Sequence, residues 1–153
     1  MAVHKVIGTV LRPIWRMRRG LTLGAQGCVV DEVGRVLLVK HGYRPGWHFP
    51  GGGVEWGEST ETALGRELHE ETGVEVTGPV ELHGLFTNFE KFPGDHIAFY
   101  LVKQWRRIAV PLPNAEIVAS GFYRPDALPE GIAEGAIRRV AEVFSGAKKL
   151  TSW

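Results

Sequence analysis

The sequence predicts an α/β layered sandwich, and three observations carry the prediction. Short apolar stretches separated by turn residues recur along most of the chain, only two segments beyond the first twenty residues keep helical periodicity, and strands surround those two helices with mixed connections. At 153 residues the chain is read as one domain, long enough for a real hydrophobic core.

Composition narrows the class of function. Hydrophobic content of 44% and charged content of 23% are ordinary for a soluble globular protein, and a net charge of +1 proposes neither nucleic acid nor membrane as a partner. A single cysteine, Cys28, excludes an internal disulfide framework and fits a reducing cytoplasm; its apolar surroundings mark it as a small core residue. No stretch approaches a membrane span, and no leader peptide is recognised, because charge follows the apolar residues and no small-residue cleavage site comes after them. The expected location is cytoplasmic, without stable membrane insertion.

Charge distribution says more than the sum. Residues 1–20 carry five basic residues and no acid, with Val3, Val6, Ile7, Val10, Leu11 and Ile14 at helical spacing and Pro13 interrupting. This basic amphipathic segment precedes a domain over 21–153. Two uses stay open for it, a membrane-surface or acidic-partner element and a segment packed on the domain or on a second copy, which makes a homodimer an expectation.

Leu21–Val30 reads as a strand, Asp31–Gly34 as a turn, and Val36–Lys40 as a second strand buried on both faces. A loop closing on Pro45–Gly46 leads to Trp47, His48, Phe49 and Pro50 and then to three glycines, Gly51–Gly53. No Gly-Lys-Ser/Thr follows, so these glycines shape the floor of a site and are not a phosphate-binding Walker loop. Ser59 is the expected N-cap of a helix over about residues 60–72, with Gly73 closing it. Short strands are expected over Val74–Val80, Glu81–Phe86 and His96–Lys103, a weaker one over Arg106–Val110, and a loop over Pro111–Ser120 before a short strand Gly121–Tyr123. The last helix is expected from Glu130 to Phe144, with Ile137, Val140, Ala141 and Phe144 inward.

The chemistry concentrates on the first of these helices. From Glu55 to Glu75 there are seven glutamates and one arginine, Arg66. At about 100° per residue, Glu67, Glu70 and Glu71 occupy one arc about 100° wide beside the Leu64–Leu68 stripe, which places them along the edge of the core and not on a solvated face. Carboxylates crowded in this way repel unless a cation lies between them, and oxygen ligands suit Mg2+ or Mn2+. Arg66 precedes Glu70 by one turn and is expected to brace it.

The stretch Gly52–Val74 also resembles the Nudix hydrolase (MutT-like) signature, G-x5-E-x7-R-E-U-x-E-E-x-G-U with U bulky and apolar. It matches at every specified position: Gly52, Glu58, Arg66, Glu67, Leu68, Glu70, Glu71, Gly73 and Val74. The resemblance implies a Nudix-type α/β/α sandwich with a mixed central sheet and a catalytic loop-helix-loop. It implies metal-dependent hydrolysis of a nucleoside diphosphate linked to a group X, or of a nucleoside triphosphate, by water attack at phosphorus. In the implied roles Glu70 and Glu71 are the main metal ligands, Glu67 is a ligand or orients the water, and Gly52 supplies a backbone contact near the metal. Arg66 braces the carboxylates, while Glu58 and Gly73 support the loop-helix-loop. Family members often place a further acid in a distant loop; Glu116 is the candidate, against its reading as a solvated loop residue.

Substrate identity is less legible. The proline of ADP-ribose enzymes and the tyrosine of dinucleoside polyphosphate enzymes are missing at their expected places near Phe89–Glu90, the SQPWP array of NADH enzymes is absent, and no coenzyme A motif precedes the signature. Trp47, Phe49, Phe86, Phe89 and Tyr123 are candidates to stack on a base, against their use as core, and His48 and His96 are candidates to touch phosphate. Two other readings are a nucleotide sensor without catalysis, disfavoured because the signature glutamates are all kept, and a hydrolase of a non-nucleotide diphosphate.

Overall fold

The computed structural model describes residues 20–153. The N-terminal basic segment, with the membrane, partner and homodimer roles considered for it, lies outside the described residues apart from Gly20.

Strands and helices follow in the order β1 (Thr22–Val29), β2 (Val36–His41), β3 (Trp47–His48), β4 (Gly51–Gly53), α1 (Thr60–Thr72), β5 (Val74–Val76), β6 (Glu81–Thr87), β7 (Asp95–Val102), β8 (Trp105–Arg107), β9 (Ile117–Tyr123) and α2 (Glu134–Ser145). The mixed sheet is four-stranded in the order β4-β1-β7-β6, with β1 and β7 parallel and the outer pairs antiparallel. A second sheet, β3-β2-β9, is antiparallel, and β5 pairs with β8. The mixed central sheet that the resemblance implies is this four-stranded one, with the two smaller antiparallel sheets beside it.

Alternation along the strands builds the layers. Leu37, Ala98, Tyr100 and Val102 turn to one side, where Leu64 and Leu68 of α1 close a core. Their neighbours Val36, Leu38, Phe99 and Leu101 turn to the other, where Ala136 and Val140 of α2 pack. Helices on opposite faces of strands buried on both sides give the α/β/α arrangement. Cys28 is buried in the second core, where burial pushes its thiol up to about 12, so it is structural and no nucleophile.

Two expectations are corrected here. The segment read as a loop over Pro111–Ser120 ends four residues earlier, at Glu116, because Ile117–Ser120 pair with Val39–His41 of β2 across a bulge. Helix α2 begins four residues later than expected and rolls: Ile137 and Phe144 are exposed, and the inward positions include Arg139 and Glu142. Periodicity of apolar residues fails because these two charges satisfy each other. Arg139 Nη2 donates to Glu142 Oε1 at 2.6 Å, Glu142 Oε2 meets His83 Nε2 at 2.9 Å, and the guanidinium lies 3.8 Å from the centre of the Phe86 ring. The C-terminal strand of chain closes over this cluster through Leu150 N–H to Glu142 and Trp153 N–H to Thr87 O.

Candidate metal and diphosphate site

Helix α1 is fixed at both ends by local sequence. The Ser59 hydroxyl accepts the Thr62 N–H at 3.0 Å, and Gly73 leaves the helix with φ +68°, a left-handed turn that its missing side chain permits. Between these caps the carboxylates are presented to the glycine strand β4.

Glu71 is the most deeply set, with its side chain 4% exposed. Its Oε2 accepts the Gly51 N–H at 2.9 Å, and its Oε1 lies 3.9 Å from His41 Nδ1. Burial, reinforced by the charges of Glu67 and Glu116, pushes its carboxyl up to about 8, against the opposing pull of the Gly51 N–H. Glu67 is raised as well, first by burial, with Glu70 and Glu116 adding repulsion and Arg66 opposing. Gly52 makes the room: a Cβ there would stand 2.5 Å from the Glu67 carboxylate. The Gly52 carbonyl lies beside Gly24 of β1, within the sheet, so the contribution of Gly52 seen here is space.

Arg66 ties the loop to the helix, though not chiefly through Glu70. Its Nε and Nη2 donate to both Glu58 oxygens at 2.8 and 3.0 Å, its Nη1 donates to Glu67 at 2.7 Å, and its Nη2 also reaches the Gly53 carbonyl at 3.1 Å. The expected Glu70 brace is the loosest contact, at 3.6 Å. A planar fork matches a carboxylate with two parallel bonds, so Glu58 outcompetes the one-turn neighbour and is itself held well down, to about 2.

The expectation that all three acids face the core edge holds for Glu67 and Glu71 only. Glu70 lies roughly 140° round the helix from the Leu64–Leu68 midpoint and is 58% exposed. Among the described residues no three His, Cys, Asp or Glu side chains converge tightly enough to enclose an ion by themselves.

Glu116 is exposed on a loop pinned by the Asn114 side chain and by Gly42 N–H, close enough for its charge to act on Glu67 and Glu71. The stacking candidates fare less well. Phe49 is fully buried against Phe99, with 4.7 Å between ring centres, so its assignment to substrate is corrected to core. Phe86 is likewise buried. Trp47 packs edge-on against Tyr123, and His48 Nε2 donates to the Pro45 carbonyl at 2.8 Å. Phe89 is exposed and lines a separate cavity with Lys91, Arg138 and Trp153 that the carboxylates do not line.

Two side chains not singled out from the sequence stand beside Glu71. Arg44 Nη2 lies 2.6 Å from His41 Nε2; a guanidinium only donates, so His41 accepts there and carries its proton on Nδ1, toward Glu71. Burial and the Arg44 charge hold the imidazole down to about 4, so the 3.9 Å approach to Glu71 is no ion pair. The only sequence signal is a histidine ending a buried strand. Next to Glu71 runs a groove of about 250 Å³ walled by Val110–Pro113 and Ile117–Ser120.

A family model described as the NUDIX domain matches residues 20–143. The chain belongs to the Nudix family. It is a Nudix hydrolase, an enzyme of the pyrophosphohydrolase kind. This Nudix chain is 30% identical over 126 residues to a MutT-like protein of Streptomyces ambofaciens, across 82% of the chain and 79% of that protein. It is 36% identical over 88 residues to an 8-oxo-dGTP diphosphatase of Proteus vulgaris, across 54% of the chain and 76% of that protein. The crystal structure of a MutT Nudix hydrolase from Burkholderia pseudomallei superposes with a TM-score of 0.69 at 26% identity, covering 80% of the chain and 97% of that one.

Nudix enzymes typically depend on a divalent metal, and the residues present fit one. Burial raises both Glu71 and Glu67, and like charge adds to it, from Glu67 and Glu116 on Glu71 and from Glu70 and Glu116 on Glu67, a repulsion that a hard cation would relieve. A set of one or two carboxylates, short of an enclosing cage, suits Mg2+, which keeps waters and takes substrate phosphates as its other ligands.

Among the described residues no helix is long and apolar enough to cross a membrane.

Proposed function

We propose that this Nudix hydrolase cleaves a phosphoanhydride of a nucleoside triphosphate or nucleoside diphosphate-X compound by attack of water at phosphorus. The observation that carries the reading is the Glu71 carboxyl, buried, anchored by the Gly51 N–H and crowded by the charges of Glu67 and Glu116. Such a group is costly unless a cation and a substrate complete its surroundings.

Glu67, Glu71 and, after a side-chain rotation, Glu70 would hold Mg2+ or Mn2+. The ion's part is to neutralise phosphate charge and orient a water. Arg66 keeps Glu67 and the Glu58 loop in place while charge builds on the phosphate. Glu116 takes the proton from the attacking water; the new P–O bond forms as the anhydride P–O bond breaks and the leaving phosphate departs. Positioning and charge neutralisation supply most of the rate, with base assistance adding about 10²–10⁴-fold.

Similarity to a relative described as an 8-oxo-dGTP diphosphatase supports nucleoside triphosphates as the first class to test. One observation favours a second reading, a diphosphate with an apolar X group: the groove beside Glu71 is walled by Val110, Pro111, Leu112, Pro113, Ile117 and Val118. Incubation with nucleoside triphosphates, NDP-sugars, ADP-ribose, dinucleoside polyphosphates and isoprenoid diphosphates, each with Mg2+ and with Mn2+, tests both. Phosphate is scored before and after added phosphatase. Turnover of nucleotides is expected; turnover of the isoprenoid compounds alone would move the reading to the second class, and none at all would refute hydrolysis.

A further inference from the structure

We propose that the Arg44 guanidinium, held by His41, grips a phosphate of the diphosphate substrate beside Glu71. This rests on the diphosphate site argued above and names a binding group for it in the loop between β2 and β3.

Three observations lead there. First, Arg44 is half-buried, and among the described residues it reaches no carboxylate within ion-pair distance; its Nε is buried without a hydrogen-bond partner. Its one close polar contact is the neutral ring of His41 at 2.6 Å. A half-buried cation left uncompensated is expensive, and an anionic ligand is what removes the cost.

Second, the other arginine at the site has no donors to spare. Arg66 is committed to Glu58, Glu67 and the Gly53 carbonyl. A diphosphate entering among Glu58, Glu67, Glu70, Glu71 and Glu116 meets repulsion that a metal ion offsets only in part. Arg44 is a positive charge beside Glu71 that no carboxylate among the described residues pairs, and so is available to meet it.

Third, the geometry is directional. Glu71 Oε2 is taken by the Gly51 N–H, and Glu71 acts on Arg44 through its charge at a distance, without an ion pair between them. The 2.6 Å contact with His41 Nε2 holds one end of the guanidinium, the same ring's Nδ1 lies 3.9 Å from Glu71, and among the described residues Arg44 Nη1 makes no hydrogen bond. His41 is thus a positioning residue, and the turn through Pro45 and Gly46 sets where the loop returns to β3.

The test measures binding of methylenediphosphonate, a diphosphate mimic that is not hydrolysed, by calorimetry in Mg2+ at two salt concentrations. Arg44→Ala is expected to weaken binding by about 10- to 100-fold, flatten the salt dependence, and raise KM more than it lowers kcat. Added guanidinium ion should restore part of the affinity of Arg44→Ala, and Arg44→Lys should fall between the two, results that a merely structural role would not produce. Should Arg44→Ala melt early, Arg44→Gln keeps a donor for His41 without the charge and is expected to show the same loss. Binding by these variants as tight as the parent's, with the same salt dependence, overturns the proposal, as does a parent protein that binds no methylenediphosphonate. Arg44-dependent binding with no turnover on the substrate panel would sink hydrolysis alone. Turnover with Arg44-independent binding would sink this assignment alone.

Discussion

Glu71 carries opposite demands in the protein without metal and with it. Its carboxyl is pushed up to about 8 in the fold against 4.5 for a free glutamate, so between those values the folded chain holds a proton that the unfolded chain has lost. Stability therefore falls as pH rises through that window. His41 works the other way: held down to about 4 against 6.5, it makes stability rise with pH until 6.5, after which it is silent. Above pH 6.5, where His41 is silent, Glu71 by itself should cost the metal-free protein roughly 2 kcal/mol by pH 8, at about 1.4 kcal/mol per unit, and the raised Glu67 acts in the same direction. Melting curves in EDTA should drop by several degrees over that range, and saturating Mg2+ should erase the drop; a flat profile in EDTA would mean that Glu71 is not buried as described. Glu71→Gln keeps an oxygen for the Gly51 N–H and sheds the charge. It is expected to melt at or above the parent in EDTA at pH 8 while losing at least about 10²-fold in activity. Near-full turnover would remove Glu71 from the mechanism.

At the scale of elements, α1 and the glycine strand β4 do separate jobs that substitutions should pull apart. Ser59→Ala removes the cap bond to Thr62 N–H and should cost about 1 kcal/mol in chemical denaturation with kcat little changed. Gly52→Ala puts a methyl group 2.5 Å from the Glu67 carboxylate, so activity should fall by tenfold or more while the fold survives. If Gly52→Ala were fully active, the packing of β4 against Glu67 would not matter to the reaction. These are elements whose behaviour the sequence already announces, because caps and glycine spacing are local. The side-chain choices along α1 were less legible. Arg66 has Glu70 one turn away, yet it binds Glu58 bidentately, and only the fold of the intervening loop makes that partner available.

In the whole molecule, α2 and the C-terminal residues close the second core through charge as well as apolar contact. Arg139, Glu142 and His83 form a buried chain under Phe86 and Trp153. Removing one member leaves a charge stranded: Glu142→Ala should cost about 3–5 kcal/mol, and the double change of Arg139 and Glu142 to apolar residues should cost less than the single one. Equal or additive losses in denaturant titrations would show that the pair is not coupled. The same global packing decided the fate of the aromatic candidates. Phe49 and Phe86 are drawn into the core, and Phe89 is carried to a different cavity, because strand pairing and not sequence distance sets which face each ring meets.

By itself the sequence determined the signature helix, both its caps, the Nudix membership that its nine matched positions point to, and most strand positions, since each depends on residues a few positions apart. Tertiary structure alone decided that Arg66 is spent on Glu58, that α2 buries Arg139 and Glu142, and that His41 and Arg44 stand beside Glu71. Each of those rests on contacts between residues distant along the chain or on the competition among partners, and no local periodicity encodes which partner wins.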